Sequence, residues 1–140
     1  MASPDQDLLE DKILSVRRRD RRYSRNAYYF VLDALDFTMS RLGRDHMTGE
    51  ERHVGGQELL GGIRDYAADQ YGPMADIVFE RWGITAASDF GEIVFNLVDV
   101  ELLSRRPTDS RLDFTDSVDF RDEFEQRHRE SLDRIAARVL

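Results

Sequence analysis

The chain has 140 residues, which suits a single domain, residues 1–140, with one substantial hydrophobic core. It is 34% charged, carries a net charge of −8 at pH 7 and contains no cysteine, which excludes disulfides, thiolate metal sites and a cysteine nucleophile. Residues 1–7 lack the pattern of a secretory signal, and no apolar stretch approaches the roughly 20 residues of a membrane span, so we expect a cytoplasmic protein that does not contact membranes.

Apolar residues recur at spacings of three and four along most of the chain, which predicts amphipathic helices. A serine cap at Ser24 and glycines such as Gly43 and Gly72 mark where helices begin and end. Two glycines inside the third helix, Gly61 and Gly62, predict the close approach of another backbone. The predicted helices cover about residues 3–19, 24–42, 55–72, 73–82, 88–103 and 118–140.

The pattern changes after Leu103, where short segments rich in turn residues replace the helical spacing. Residues 102–106 and 111–115 are typical of strands, and residues 107–110 of a turn, which together predict a short β-hairpin. A short helix, a tight turn, a capped helix and a hairpin follow one another in a winged helix. The predicted fold class is therefore mainly α: a compact bundle of about five or six helices, with a β-hairpin after the fifth helix and a winged-helix-like C-terminal half.

Charge is segregated along the chain. Residues 12–25 hold seven cations against one acid, whereas residues 86–125 hold eleven acids against four arginines. Two interpretations of the cationic segment are open: it pairs with the acidic half, within a monomer or across a dimer, or it binds an external anion. We favour the first because an acidic chain supplies its own counter-charge. The arginines that define this basic arm are Arg17, Arg18, Arg19, Arg21, Arg22 and Arg25.

Nucleic-acid binding is an alternative function for the basic arm. Its arginines, with Tyr23, Tyr28 and Tyr29 nearby, combine charge with stacking surfaces as single-strand binders do. The winged-helix-like element, with arginines on its wing, is a second route to the same function. Both are disfavoured, because the net charge opposes a polyanion and the helix before the hairpin exposes mainly acidic side chains, which phosphate repels. The exposed positions predicted on that helix are Asp89, Glu92, Asn96, Asp99 and Glu101.

The loop at residues 45–53 gathers two histidines and three carboxylates. His46 and His53 are weak candidates for metal ligands. Their spacing fits no helical ligand pair, and a solvated acidic loop produces such a cluster without any metal. A metal-dependent hydrolase at this loop is therefore an alternative that we disfavour. No residue pattern indicates a catalytic nucleophile, a phosphate-binding loop or a cofactor site.

The last predicted helix contains an amphipathic segment, residues 121–140, able to extend from the domain. Its apolar side chains recur at helical spacing and form a stripe that a partner could cover. Together with the charge segregation and the missing catalytic pattern, this stripe favours a non-enzymatic protein-interaction module that binds a protein partner or a second copy of itself. The stripe consists of Phe120, Phe124, Leu132, Ile135 and Val139.

Several segments resemble an uncharacterised protein family found mainly in planctomycetes and verrucomicrobia. The resemblance covers about residues 8–125. The family has no assigned activity, so the resemblance implies no catalytic or binding residue. This chain departs from the family in its longer tail and at Gly55, where a small polar cap is expected. The segments that carry the resemblance are residues 20–23 with 27–31, residues 53–64, residues 70–75 and residues 89–98.

Overall fold

The structure, a computed structural model, describes residues 4–115 and 119–139, and the side chains of residues 7–115 and 119–138. Within this part of the chain every regular element is helical and none is a β-strand. No helix there is long and apolar enough to cross a membrane. The α-helices are α1 (Pro4–Arg19), α2 (Arg25–Arg41), α3 (Gly56–Tyr71), α4 (Ala75–Arg81), α5 (Ala87–Asp99) and α6 (Phe120–Val139), with 3-10 turns at Gly49–Arg52, Gly72–Met74 and Arg111–Phe114.

The helices begin and end within a few residues of their predicted bounds, except at the end of α5. The helical spacing of apolar residues was a sufficient signal because those residues do face one core. The predicted fifth helix runs to residue 103, but α5 stops at Asp99. Glu101 adopts a positive φ of 63°, and the Leu102 N–H donates to the Leu97 carbonyl at 3.0 Å, which closes the helix end.

Aromatic rings fill the centre of the core. The fully buried ring of Phe79, on α4, contacts rings from three other helices at centroid distances of 5.0–5.7 Å. Edge-to-face pairs of this kind each contribute about 0.5–1.5 kcal/mol beyond the burial of their area. The short α4 is therefore held by packing rather than by its own length. The rings around Phe79 are Phe30 on α2, Phe90 on α5, and Phe120 and Phe124 on α6.

A glycine lets α2 and α3 pack closely. A Cβ atom added at Gly62 would lie 1.8 Å from the Oγ1 atom of Thr38. Thr38 is fully buried and its hydroxyl donates to the Ala34 carbonyl at 2.6 Å, so it cannot move aside without losing that bond. The predicted close approach of another backbone is therefore wrong in its partner: the atoms nearest to Gly62 belong to the Thr38 side chain. Gly61 faces open space.

The predicted β-hairpin and the winged-helix-like C-terminal half are wrong. Residues 102–115 form turns that end in the 3-10 turn Arg111–Phe114. Local bonds replace a strand ladder: the Asp109 carboxylate accepts the Arg106 N–H at 2.7 Å, and the Asp113 carboxylate accepts the Ser110 N–H at 2.9 Å. Such side-chain bonds to nearby backbone favour turns over strands.

Phe114 holds this segment against the helical body. It is 3% exposed and lies against two glycines, one at the start of α3 and one in α5. A Cβ added at Gly56 would lie 3.1 Å from the Phe114 ring, and one added at Gly91 would lie 3.0 Å from the Phe114 Cβ. The segment that follows α5 therefore turns back over α5 and α3, and it forms one wall of the cleft described below.

Candidate functional site

A network of polar side chains, the buried corner, joins the α1–α2 connection to α5. The side-chain amide of Asn96 donates to Asp20 Oδ2 at 3.0 Å and to the Tyr28 hydroxyl at 3.1 Å. The Tyr23 hydroxyl donates to Asp89 Oδ1 at 2.5 Å. Asn96 is 7% exposed, and both tyrosines are at most 1% exposed. The buried corner comprises Asp20, Arg22, Tyr23, Tyr28, Asp89 and Asn96.

Both carboxylates of the buried corner are held in the charged form. The hydrogen bond from Arg22, at 2.7 Å, keeps the pKa of Asp20 well below its usual range. Burial acts to raise the pKa of Asp89, but the bonds donated by Tyr23 and by two backbone N–H groups outweigh it, so the pKa of Asp89 is lowered. Burial, together with the bond to Asp89, raises the pKa of Tyr23. These groups satisfy one another, which is typical of a structural network.

The arginines of the basic arm fall into two groups, those with a partner in the protein and those without a described one. Arg19 lies 3.7 Å from Asp99, and Arg22 pairs with both Asp20 and Glu92. Arg17 donates to the Tyr23 carbonyl. The remaining three side chains have neither an ion pair nor a hydrogen bond to any residue that the structure describes. These three exposed side chains, the untied arginines, are Arg18, Arg21 and Arg25.

The predicted apolar stripe of α6 consists of a buried part and an exposed part. Phe120 and Phe124 are 7% and 1% exposed and belong to the core, so they are not available to a partner in this fold. Leu132 and Ile135 are 51% and 52% exposed. The side chain of Val139 lies outside the described residues. The exposed part of the stripe is therefore Leu132 and Ile135, on the end of α6 beyond its contacts with the core.

The two histidines of the 45–53 loop lie in different surroundings. The side chain of His46 is 90% exposed, and its Nε2 atom is 3.8 Å from the Asp45 carboxylate. His53 Nε2 lies 2.8 Å from Asp109 Oδ2, a distance suited to an ion pair but off the direction of a hydrogen bond. Among the residues that the structure describes, no three potential ligands come together as a metal ion requires. His53 therefore pairs with Asp109, which lies outside the loop, and His46 lies apart from both.

His53 and Asp109 lie at one side of a cleft of about 460 Å³, which is open to solvent. The cleft is bounded by α2, α5, the start of α3, the segment that precedes α3 and the segment 102–114. Its aliphatic lining includes Leu32, Leu35, Met39, Val94, Val98 and Leu102. Its ionisable lining consists of Asp36, Arg52, His53, Arg105, Asp109 and Asp113.

No family model, curated protein or solved structure matches this chain. The resemblance to the planctomycete and verrucomicrobial family therefore stays a prediction. Function has to be inferred from the geometry of the buried corner, the untied arginines, the end of α6 and the cleft.

Two features of the site were missed by sequence reasoning. Asn96 and Asp89 were assigned to an exposed acidic face, whereas Asn96 is buried and Asp89 is bonded to Tyr23. The position of Asn96 between Phe95 and Leu97, in an otherwise apolar run, was a usable signal that it bonds inside the protein. The cleft had no local signal, because its walls come from three helices and two connecting segments.

Proposed function

We propose that the protein is a non-enzymatic protein-interaction module whose untied arginines bind an acidic surface of a partner protein. The observation that carries the proposal is the exposure of Arg18, Arg21 and Arg25 without any described partner, beside three arginines of the same arm that are tied down. A cytoplasmic location is part of the proposal.

The position of Arg25 supports a role beyond charge balance. Arg25 is the first residue of α2, and that helix has no acidic residue in its first turn. A cation at a helix N-terminus opposes the helix dipole and costs about 0.3–1 kcal/mol. Arg18 lies in the last turn of α1, where the dipole favours it. An external anion would offset the unfavourable placement of Arg25.

A protein partner is favoured over nucleic acid on two grounds. Single-strand binders stack bases on exposed aromatic rings. Tyr23 and Tyr28, two of the three rings near the arm, are buried, so they cannot stack on bases. The net charge of −8 also repels a long polyanion more than it repels a short acidic patch.

The end of α6 is a second candidate surface, for contact with another copy of the chain. Leu132 and Ile135 lie eight and eleven residues after Phe124, about two and three helical turns further along, and so continue the face of α6 that carries Phe124. These two side chains expose too little apolar area to hold a stable dimer alone. We therefore place self-association second, as a contact that adds to binding through the arm.

A labelled octaglutamate peptide tests the leading proposal by fluorescence anisotropy at low ionic strength. We expect saturable binding that weakens as salt is added. Replacing the untied arginines together (Arg18→Gln, Arg21→Gln, Arg25→Gln) should weaken it roughly tenfold, since three exposed ion pairs contribute about 0.2–1 kcal/mol each. A matched control removes three other exposed arginines without a described partner: Arg81→Gln, Arg129→Gln and Arg138→Gln.

Equal losses in the two triple variants would show that only net charge matters, and the proposed surface would be abandoned. Tighter binding of a single-stranded oligothymidine than of octaglutamate, lost in the arm variant alone, would replace the acidic partner with nucleic acid. Sedimentation of the wild type and of Ile135→Asp, at several concentrations, tests the second surface. An unchanged mass for both would remove self-association.

A further inference from the structure

The cleft has the size and lining of a small-molecule site. Its volume of about 460 Å³ falls within the roughly 300–1,000 Å³ of ligand pockets. One side is aliphatic, formed by Leu32 and Leu35 of α2 and by Val94 and Val98 of α5. Apolar side chains that line an open cleft remain in contact with water, so an apolar ligand that covers them gains free energy by burial.

The ionisable groups of the cleft differ in whether they already have partners. Asp109 accepts the Arg106 N–H and lies beside His53, and Asp113 accepts the Ser110 N–H. Both carboxylates are therefore engaged within the protein.

The two arginines of the cleft have donors to spare. Arg105 stacks its guanidinium 5.4 Å from the Phe95 ring and donates one N–H to the Asp109 carbonyl at 3.4 Å, which leaves most of its five donors unused. Arg52 is exposed and has no partner among the described residues. Asp36 is the one acid of the cleft lining that has no described partner, and its charge is opposite to that of the two arginines. The spare hydrogen-bonding capacity of the cleft is thus mainly that of cationic donors.

We propose that the cleft binds an amphipathic carboxylate, with its aliphatic body against α2 and α5 and its carboxylate on Arg52 and Arg105. Arginine binds carboxylates through paired N–H donors, and a charged hydrogen bond of this kind is stronger than a neutral one. The site is separate from the untied arginines and adds a small-molecule ligand to the proposed protein interaction.

Methyl NMR with decanoate, below its micelle concentration, tests this proposal. We expect saturable shifts of the Leu32, Leu35, Val94 and Val98 methyl signals, with Leu132 and Ile135 unchanged. Decanol and decylamine share the aliphatic body but not the carboxylate, so both should bind more weakly. Shifts of equal size on Leu132 and Ile135, or no saturation, would overturn the site.

Two variants test the contacts of the ligand's carboxylate and of its aliphatic chain separately. Arg52→Gln with Arg105→Gln changes two exposed side chains and should weaken decanoate binding at least about tenfold, while decanol is unaffected. Arg129→Gln with Arg138→Gln is the matched control and should bind decanoate as the wild type does. Val98→Trp should block both ligands by filling the cleft. If that variant does not fold, the effect of the double arginine variant on decanoate binding still tests the proposal. Decylamine binding as tight as decanoate would overturn the assignment of a carboxylate.

Discussion

The buried corner and the ionisable lining of the cleft are both clusters of polar side chains, but they differ in how completely the groups satisfy one another. In the buried corner, the side-chain amide of Asn96 donates one hydrogen bond to Asp20 and one to Tyr28. The Tyr23 hydroxyl donates to Asp89. At the cleft, His53 Nε2 is buried without a directed hydrogen bond, and Arg52 has no described partner. In the first arrangement every buried side-chain nitrogen and oxygen has a partner within the protein, whereas the second has capacity left for a ligand.

Residue type does not account for this difference. Both clusters contain aspartate and arginine, and both join segments that are distant in sequence. A complete buried network stabilises one conformation, and each loss from it leaves an unpaired group. An incomplete cluster at the surface costs less to alter. Stability measurements should therefore be sensitive to the buried corner and nearly insensitive to the cleft.

The largest effect is expected from Gly83→Ala, at the turn that supports the buried corner. Gly83 has a φ of 91°, and an added Cβ would lie 2.1 Å from the Arg22 carbonyl oxygen. Backbone cannot move aside as a side chain does, so we expect a loss of about 3 kcal/mol of unfolding free energy, measured in urea. Gly43→Ala is the control, because Gly43 has a φ of 70° but open space around it. A similar loss in both variants would show that φ alone is responsible.

Asn96→Leu should have the next largest effect. The substitution keeps the number of side-chain heavy atoms, although leucine is larger, and it removes the donor shared by Asp20 and Tyr28; Asp20 retains its bonds from Arg22. Unpaired buried groups cost about 1–3 kcal/mol, so we expect a loss of roughly 2 kcal/mol by chemical denaturation. If the variant is as stable as the wild type, the buried corner does not stabilise the fold, and the contrast with the cleft fails.

The third largest effect is expected from acid, which should reduce the contribution of the buried corner to the free energy of unfolding. The pKa values of Asp20 and Asp89 are lowered in the folded protein, so their contribution to stability is present above the unfolded value of about 3.9 and is lost as pH falls towards the folded values. The unfolding free energy should therefore fall below about pH 4. Asp20→Asn should be less stable than the wild type at pH 7, and this difference should shrink in acid. Asp133→Asn, on the exposed end of α6, is the control. A constant difference across pH would contradict the assignment.

The smallest effect is expected at the cleft. His53→Gln removes the pair with Asp109 but leaves the Asp109 bond to the Arg106 N–H in place. The pair is largely buried, with side chains 15% and 16% exposed. Because Asp109 keeps its backbone bond and the glutamine amide can donate in place of the imidazole, we expect a loss below about 1 kcal/mol, measured beside Asn96→Leu under the same conditions. A loss as large as that of Asn96→Leu would place His53 in the structural network instead.

The helices were predictable because apolar spacing is a local property that survives folding. The hairpin was not, since its residues bond to their own backbone and Phe114 is anchored by glycines of α3 and α5. The predicted end of α5 was wrong because Glu101 adopts the positive φ that usually ends a helix at a glycine, and no glycine marks this position in the sequence. Tertiary contacts that join distant segments, such as Tyr23 with Asp89, leave no periodic trace.

The position of the single tryptophan gives the protein a built-in optical reporter. Trp82 lies 5.3 Å from the Phe30 ring and 5.9 Å from the Tyr71 ring, and its carbonyl accepts the Ser24 N–H. Indole emission should therefore follow the loosening of the aromatic core. Because Trp82 does not line the cleft, the same emission should stay constant when the cleft is occupied, which lets one fluorophore separate unfolding from ligand uptake.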